Sequence, residues 1–161
     1  ELYEILRPFP WTRFFSYPKR ALASKEEVIV YVDFEETLSA EAVFRVEGPV
    51  NRAEAVVKAH PIYIINRGKE TLEFDAFEHY DLLVQQQAKD SLGNWRYIEE
   101  SLFIGCGNSL GIVRIEADDF IISKVPIYEG NFDTELRLMT EWGPSNSYFG
   151  SIHYGQFIEK P

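Results

Sequence analysis

Apolar and polar positions alternate with a period of two along most of this chain. Val28, Val30, Val32 and Phe34 fall on one side of an extended segment, with Ile29, Tyr31 and Asp33 on the other. Ile121, Ser123, Val125 and Ile127 form a second such row, and Leu136, Leu138 and Thr140 alternate with Glu135 and Arg137. Tyr148, Ile152 and Tyr154 share a side opposite Phe149, Ser151 and His153. No long stretch carries the i, i+3, i+4, i+7 stripe of an amphipathic helix. The pattern predicts strands over 28–34, 42–47, 54–65, 70–75, 81–88, 95–99, 112–116, 120–128, 134–141 and 147–157, and less than roughly a tenth helix.

Turn chemistry punctuates these runs. Gly48-Pro49 reads as a turn, and Asn66-Arg67-Gly68 as a tight one with Gly68 at positive φ. Asp90-Ser91-Leu92-Gly93-Asn94 closes a hairpin ahead of Trp95, and Asp118-Asp119 joins two further strands. Pro61 interrupts an apolar run and marks an edge or a bulge. Short strands at this spacing suit a two-sheet sandwich better than a small barrel. Composition agrees: valine, isoleucine, threonine and the aromatics number 54, against 23 for alanine, leucine and methionine. The expected fold class is all-β, a two-sheet β-sandwich.

Residues 1–26 differ from the rest. Five basic residues face three acidic ones there, whereas residues 27–161 hold 11 basic and 23 acidic residues. Phe9, Trp11, Phe14, Phe15 and Tyr17 are interleaved with Pro8, Pro10 and Pro18, which forbid a regular helix. The segment therefore reads as an extended N-terminal arm, and 27–161 as the sandwich domain. Two uses of the arm follow from its composition: a strap packed over the body, or a detachable segment that docks on a partner. The expectation is the strap, docked on one sheet face or edge.

The formal net charge of −10 argues against nucleic acid and anionic membrane as partners. No apolar run approaches the length of a spanning helix. Cys106 is the sole cysteine, so no intrachain disulfide forms. The chain opens Glu1-Leu2-Tyr3 without methionine, as a mature exported protein or a trimmed chain would. An acidic, disulfide-free β-domain tolerates either compartment; the expectation is an extracytoplasmic one, periplasmic or secreted.

Residues 62–97 carry a resemblance. They read Ile-Tyr-Ile-Ile-Asn-Arg-Gly, then Leu-Glu-Phe, then His-Tyr-Asp-Leu-Leu-Val, and finally Gly-Asn-Trp. This resembles the middle of an immunoglobulin-like bacterial domain, specifically the bacterial intracellular proteinase inhibitor family. There an apolar strand ends in Asn-x-Gly, a Leu-x-Phe strand follows, and Tyr-Asp opens a strand that turns to a tryptophan. The resemblance spans 62–97 alone; the arm and the Cys106 loop have no counterpart in it. It implies an immunoglobulin-like sandwich and, as one expectation, proteinase inhibition. Residues 124–157 are similar to stretches of bacterial proteins without an assigned activity.

Candidate chemistry is sparse. Cys106 lies among three glycines in 100–111, and His60, His79 and His153 are scattered singly, without the spacing of a thiol–imidazole pair or a zinc site. His79-Tyr80-Asp81 offers two ligand types, and in a strand only alternate side chains share a face. The oxygens of Asp90 to Asn94 are explained by turn chemistry without calcium. No catalytic residue, metal or cofactor is therefore expected. Aromatic rings near turns and in the last strands, Trp95, Trp142, Tyr148 and Tyr154, are the candidate ligand contacts, because a ring offers apolar area with a polar edge. The same rings serve equally as sandwich core. The expected function is a non-catalytic binding or accessory module of a bacterial protein, with another protein as partner. The alternatives are a carbohydrate-binding module, with a glycan as partner, and a proteinase inhibitor.

Overall fold

The computed structural model of the chain describes residues 27–45, 52–77, 84–99 and 110–158. The arm 1–26, the Gly48-Pro49 turn, His79-Tyr80-Asp81 and the Cys106 loop lie outside the described residues. Within them the chain is all-β, as its alternation predicts. Eleven strands occur in order: β1 (Val28–Val32), β2 (Leu38–Arg45), β3 (Arg52–Asn66), β4 (Leu72–Phe77), β5 (Gln85–Lys89), β6 (Trp95–Tyr97), β7 (Leu110–Ile115), β8 (Phe120–Pro126), β9 (Phe132–Thr140), β10 (Gly143–Pro144) and β11 (Tyr148–Ile152). A 3-10 turn follows at Tyr154–Gln156.

The front sheet is built around β3. Its C-terminal half pairs β1, from Val28↔Asn66 to Val32↔Ile62, and its N-terminal half pairs β2, from Leu38↔Ala59 to Arg45↔Arg52. β8 pairs residues 59–65 of β3. A strand has two edges, so β1 and β2 follow one another along the edge opposite β8. Five residues, 33–37, span what two residues of β3 span, and the ladder is broken there. Pro61 sits opposite this break: its carbonyl accepts the Asp33 N–H at 3.0 Å, and its missing N–H falls where pairing has stopped. Ala59, Pro61 and Ile62 are all buried, so strict alternation slips by one residue at the proline. The proline thus marks a bulge within a central strand.

The back sheet runs β10 and β11, then β9, then β5, then β6, all antiparallel. A two-stranded ribbon of β4 and β7 continues the β3–β8 ladder around a corner. Asn66 pins that corner. Wholly buried, it donates from Nδ2 to the carbonyls of Glu70 (2.8 Å), Ile115 (3.1 Å) and Glu116 (3.1 Å), and accepts the Gly68 N–H at 2.9 Å. Gly68 corrects the expectation made for it. It is absent from the positive-φ residues, which among the described residues are Gly93, Gly143 and Asp118. Crowding is what favours glycine there, since a β-carbon would lie 3.0 Å from Glu27 Oε2 and 3.2 Å from Asn66 Oδ1.

The Asp90–Asn94 hairpin forms as its sequence predicts. Gly93 takes φ 81°, and Asp90 Oδ1 accepts both the Leu92 and Asn94 N–H groups at 2.9 Å. The last strand ends at Ile152, short of the predicted 157, because Ile152 already pairs Phe132, the first residue of β9. One core joins the sheets: Val28, Val30, Val32, Ile62, Ile64 and Val125 from the front meet Ala88, Leu136, Leu138, Tyr148 and Ile152 from the back. Leu72 and Ile115 of the ribbon complete it. Asn146, between β10 and β11, ties the sheets by polar means: it accepts the Val32 N–H at 2.7 Å and donates to the Val32 carbonyl at 3.0 Å. This satisfies the outer edge of β1 at Val32, whose backbone groups would otherwise be open to pairing.

Candidate functional site

The outward faces of the two sheets differ in chemistry. On the back sheet the residues facing out include Lys89, Gln87, Glu135 and Arg137, with Trp95 among them and the exposed Phe149 beside Glu135. Arg137 lies 4.1 Å over the Trp95 ring and donates from Nε to Gln87 Oε1 at 2.9 Å, while Lys89 sits 5.2 Å from the same ring and pairs with Glu135. Two cations thus face the Trp95 ring, beside the buried Gln87.

The front sheet is the reverse. Cross-strand register aligns Ile29, Ile65 and Phe120 in one row and Tyr31, Tyr63 and Ile122 in the next. All six project away from the core that Val28, Val30, Ile62 and Ile64 enter, because successive side chains of a strand alternate. Phe120 and Ile122 are 52% and 59% exposed, and Ile29 and Tyr31 are 44% and 41% exposed. The rings of Tyr31 and Tyr63, and of Tyr63 and Phe120, stand 6.4 Å apart, so the aromatics form a connected strip across three strands. Contiguous apolar surface of this kind marks interaction sites, whereas a solvated antiparallel face carries polar residues.

A second surface lies at the seam of the sheets. A cleft of about 200 Å³ is lined by His60, Gln86, Pro126 to Glu129, Leu136 and Tyr148 to Ser151. Its floor is a closed polar network. Tyr148 OH donates to Gln86 Oε1 at 3.1 Å; Gln86 Nε2 donates to Glu99 Oε1 at 2.9 Å and to the Pro126 carbonyl at 3.0 Å. The Gln86 N–H donates to Glu99 Oε2 at 3.0 Å, and Tyr128 OH donates to Glu99 Oε1 at 2.7 Å. Burial first, and the Glu99 charge second, push both phenols above the ordinary tyrosine range, most strongly at Tyr128. Glu99 is thus an acceptor whose donors are already in place, and the network reads as structural. His60 donates from Nδ1 to the Glu36 carbonyl at 2.8 Å and meets Tyr148 edge-on at 5.6 Å. Ser151 Oγ accepts the Gly130 N–H at 3.2 Å. Tyr128 is the lining residue whose hydroxyl meets a carboxylate, Glu99, and burial holds that phenol protonated rather than activating it. Among the described residues no three His, Cys, Asp or Glu side chains converge on a metal-sized space, and no helix is long and apolar enough to cross a membrane.

The four rings singled out in the sequence are not brought together. Trp142 and Tyr148 belong to the core, at 7% and 5% exposure. Trp95 is half-buried under Arg137. Tyr154 is exposed on the 3-10 turn and packs edge-on against Phe132 and Phe157, each at 5.3 Å. Of the four, Tyr148 lines the cleft. The front-face residues do carry a signal in the sequence: the side of β1 opposite Val28, Val30 and Val32 is itself apolar.

The chain matches no protein-family model, no curated protein and no solved structure at a significant level.

Proposed function

We propose that this protein is a non-catalytic binding module of an exported bacterial protein. In this reading it is an immunoglobulin-like two-sheet sandwich that engages another protein through the outward face of its front sheet. The observation that carries the reading is the two-row block of Ile29, Ile65, Phe120, Tyr31, Tyr63 and Ile122, contiguous and apolar across three strands. Its partner presents a flat apolar surface. Basic groups suit that partner's rim, because the strand ends around the block hold Glu27, Asp33, Asp118 and Asp119 against Arg67 and Lys124.

The test is affinity capture from the source cells with three forms of the full chain: unaltered, Tyr31→Lys with Ile122→Lys, and Phe149→Ser on the cleft rim. Loss of a central apolar contact costs about 2 kcal/mol or more. The same partner should therefore be retained by the unaltered chain and by Phe149→Ser, and lost by the double variant. Retention by all three would overturn the assignment to the front face.

A second reading, a carbohydrate-binding module, is favoured by one observation. Phe149 is 80% exposed at the rim of a cleft that also offers His60, Gln86, Glu129 and Ser151, a ring beside polar groups as a sugar would require. A glycan array read with the unaltered chain and Phe149→Ser decides it. Binding abolished by Phe149→Ser and kept by the front-face variant would replace the first reading with this one.

A further inference from the structure

We propose that the outward face of the back sheet holds a binding site for a carboxylate group, centred on the Arg137 guanidinium and separate from the front face. Leu136 and Leu138 are anchored in the core, so the alternation of β9 turns Arg137 outward. Across the sheet Arg137 shares a row with Gln87 of β5 and Tyr97 of β6, and Lys89 and Trp95 stand in the next row.

The guanidinium is held but not neutralised. Its central carbon lies 4.1 Å from the centre of the Trp95 ring, and Nε donates to Gln87 Oε1 at 2.9 Å. Among the described residues no acceptor meets Nη1 or Nη2, so the fork that pairs with carboxylates is open. No carboxylate among them pairs with Arg137 either, because Glu135 is taken by Lys89, the other cation at the ring. Desolvation lowers the Arg137 pKa, with the Tyr97 phenol acting in the opposite sense, and an arginine keeps its charge throughout the neutral range. A partly desolvated cation without a counter-ion gains from an anion that reaches it.

Gln87 gives an independent sign of the same vacancy in the bonding. It is 5% exposed, its Oε1 is committed to Arg137, and its Nε2 has no hydrogen-bond partner among the described residues. Buried side chains normally have their donors satisfied. An open amide donor beside an open guanidinium fork is a set of donors that lacks an acceptor oxygen. Charge selects which oxygen compound: Glu135 offsets Lys89, which leaves one positive charge to match a monoanion. A carboxylate is planar, singly charged and bidentate toward such a fork, whereas a phosphate dianion brings an excess charge. Trp95 and Gln87 fix the long arginine side chain before a ligand arrives, which removes part of the ordering cost of binding.

The experiment is a side-chain NMR titration of the full chain at neutral pH, reading the Arg137 Nε–H and the Gln87 amide. The probes are sodium acetate, acetamide as its uncharged counterpart, sodium chloride at matched ionic strength, and triglycine against triglycine amide. The expected result is a saturable shift of both signals with acetate and none with acetamide or chloride. Triglycine tighter than acetate, with its amide silent, assigns the carboxylate to a peptide end; equal responses assign it to a small free carboxylate. Gln87→Glu places an internal carboxylate on Arg137 and should abolish the response at the Arg137 signal with the fold intact. Arg137→Lys keeps the charge, loses the fork and should weaken acetate about tenfold or more at the Gln87 signal. Acetate shifts no larger than those of chloride, or a Gln87→Glu chain that responds as the unaltered one does, would overturn the proposal. The front-face variant, Tyr31→Lys with Ile122→Lys, should bind acetate like the unaltered chain, so this result and that of the capture experiment are read separately.

Discussion

Asn66→Ala removes the pin at the corner where the front sheet hands the chain to the ribbon. Nδ2 has two hydrogens to share among the Glu70, Ile115 and Glu116 carbonyls, and Oδ1 holds the Gly68 N–H. Three full hydrogen bonds are therefore at stake. At about 1 kcal/mol each the loss is about 3 kcal/mol, weighted toward the buried Ile115 carbonyl and Gly68 N–H, which water replaces poorly. For a chain of this size that lowers the melting temperature by roughly 10 °C. Asn66→Asp should be worse, because it turns an oxygen toward three carbonyl oxygens. Urea unfolding followed by tryptophan emission reads the effect as a lower midpoint at constant slope. Arg67→Ala, one residue away and exposed, should stay within about 0.5 kcal/mol of the parent. If Asn66→Ala also stays within that range, the corner is held by something other than this side chain.

Three further outcomes follow from other sites. Gly130→Ala would drive a β-carbon into the Ile152 and His153 backbone and should cost about 3 kcal/mol or prevent soluble expression, whereas Gly93→Ala, at φ 81° with open space around it, should cost about 1 kcal/mol in the same unfolding assay. Tyr128→Phe gives up a hydrogen bond to a carboxylate and should cost about 2 kcal/mol at neutral pH. Because folding raises the Tyr128 pKa above its ordinary 10.0, its contribution is complete below that pH and is lost as pH climbs toward the folded value, so the variant should show a flatter alkaline limb. Asp90 has the opposite sign: hydrogen bonds, chiefly from the Asn94 N–H, hold its pKa below the ordinary 3.8, so its contribution is present above that value and lost as pH falls through the folded one. Asp90→Asn should flatten the acid limb below pH 3.8 and leave the neutral range nearly unchanged.

The fold was legible wherever side chains report a two-sided environment. Val28 to Val32, Leu136 to Thr140 and Asp90 to Asn94 form the strands and the hairpin their patterns announce. Pairing was not legible, because register is a relation between distant segments: nothing local says that β3 takes β1, β2 and β8 as partners. Buried polar residues were missed for a related reason. Asn66, Gln86 and Asn146 look like turn or surface residues until the carbonyls, hydroxyls and carboxylates they bind are brought in from up to 114 positions away. Gly68 shows the limit of turn chemistry, since it stands at a crowded corner without a positive φ. The rings proposed as ligand contacts illustrate the same ambiguity. Trp142 and Tyr148 have the composition of a binding platform and the burial of a core, and only the tertiary structure separates the two.

The front sheet carries more apolar surface than its fold requires. One inward set, Val28, Val30, Val32, Ile62 and Ile64, already closes the core against the back sheet. An antiparallel sheet with one wet face carries polar residues on that face, and the back sheet does so in part with Lys89, Glu135 and Arg137. The front sheet, with Ile29, Tyr31, Ile65, Phe120 and Ile122, does not. Exposed apolar area works against solubility at ~25 cal/mol per Å², and contiguous area of this kind is a mark of interaction surfaces. The edge of β1 is ruled out as the main attraction at Val32, because Asn146 already occupies both of its backbone groups. For the proposed binding face this favours contact through side chains over a strand added at Val32. It also separates two kinds of occupant. A strand added edgewise would be tolerant of sequence, whereas a face of two tyrosines, a phenylalanine and three isoleucines would select for rings and flat apolar groups.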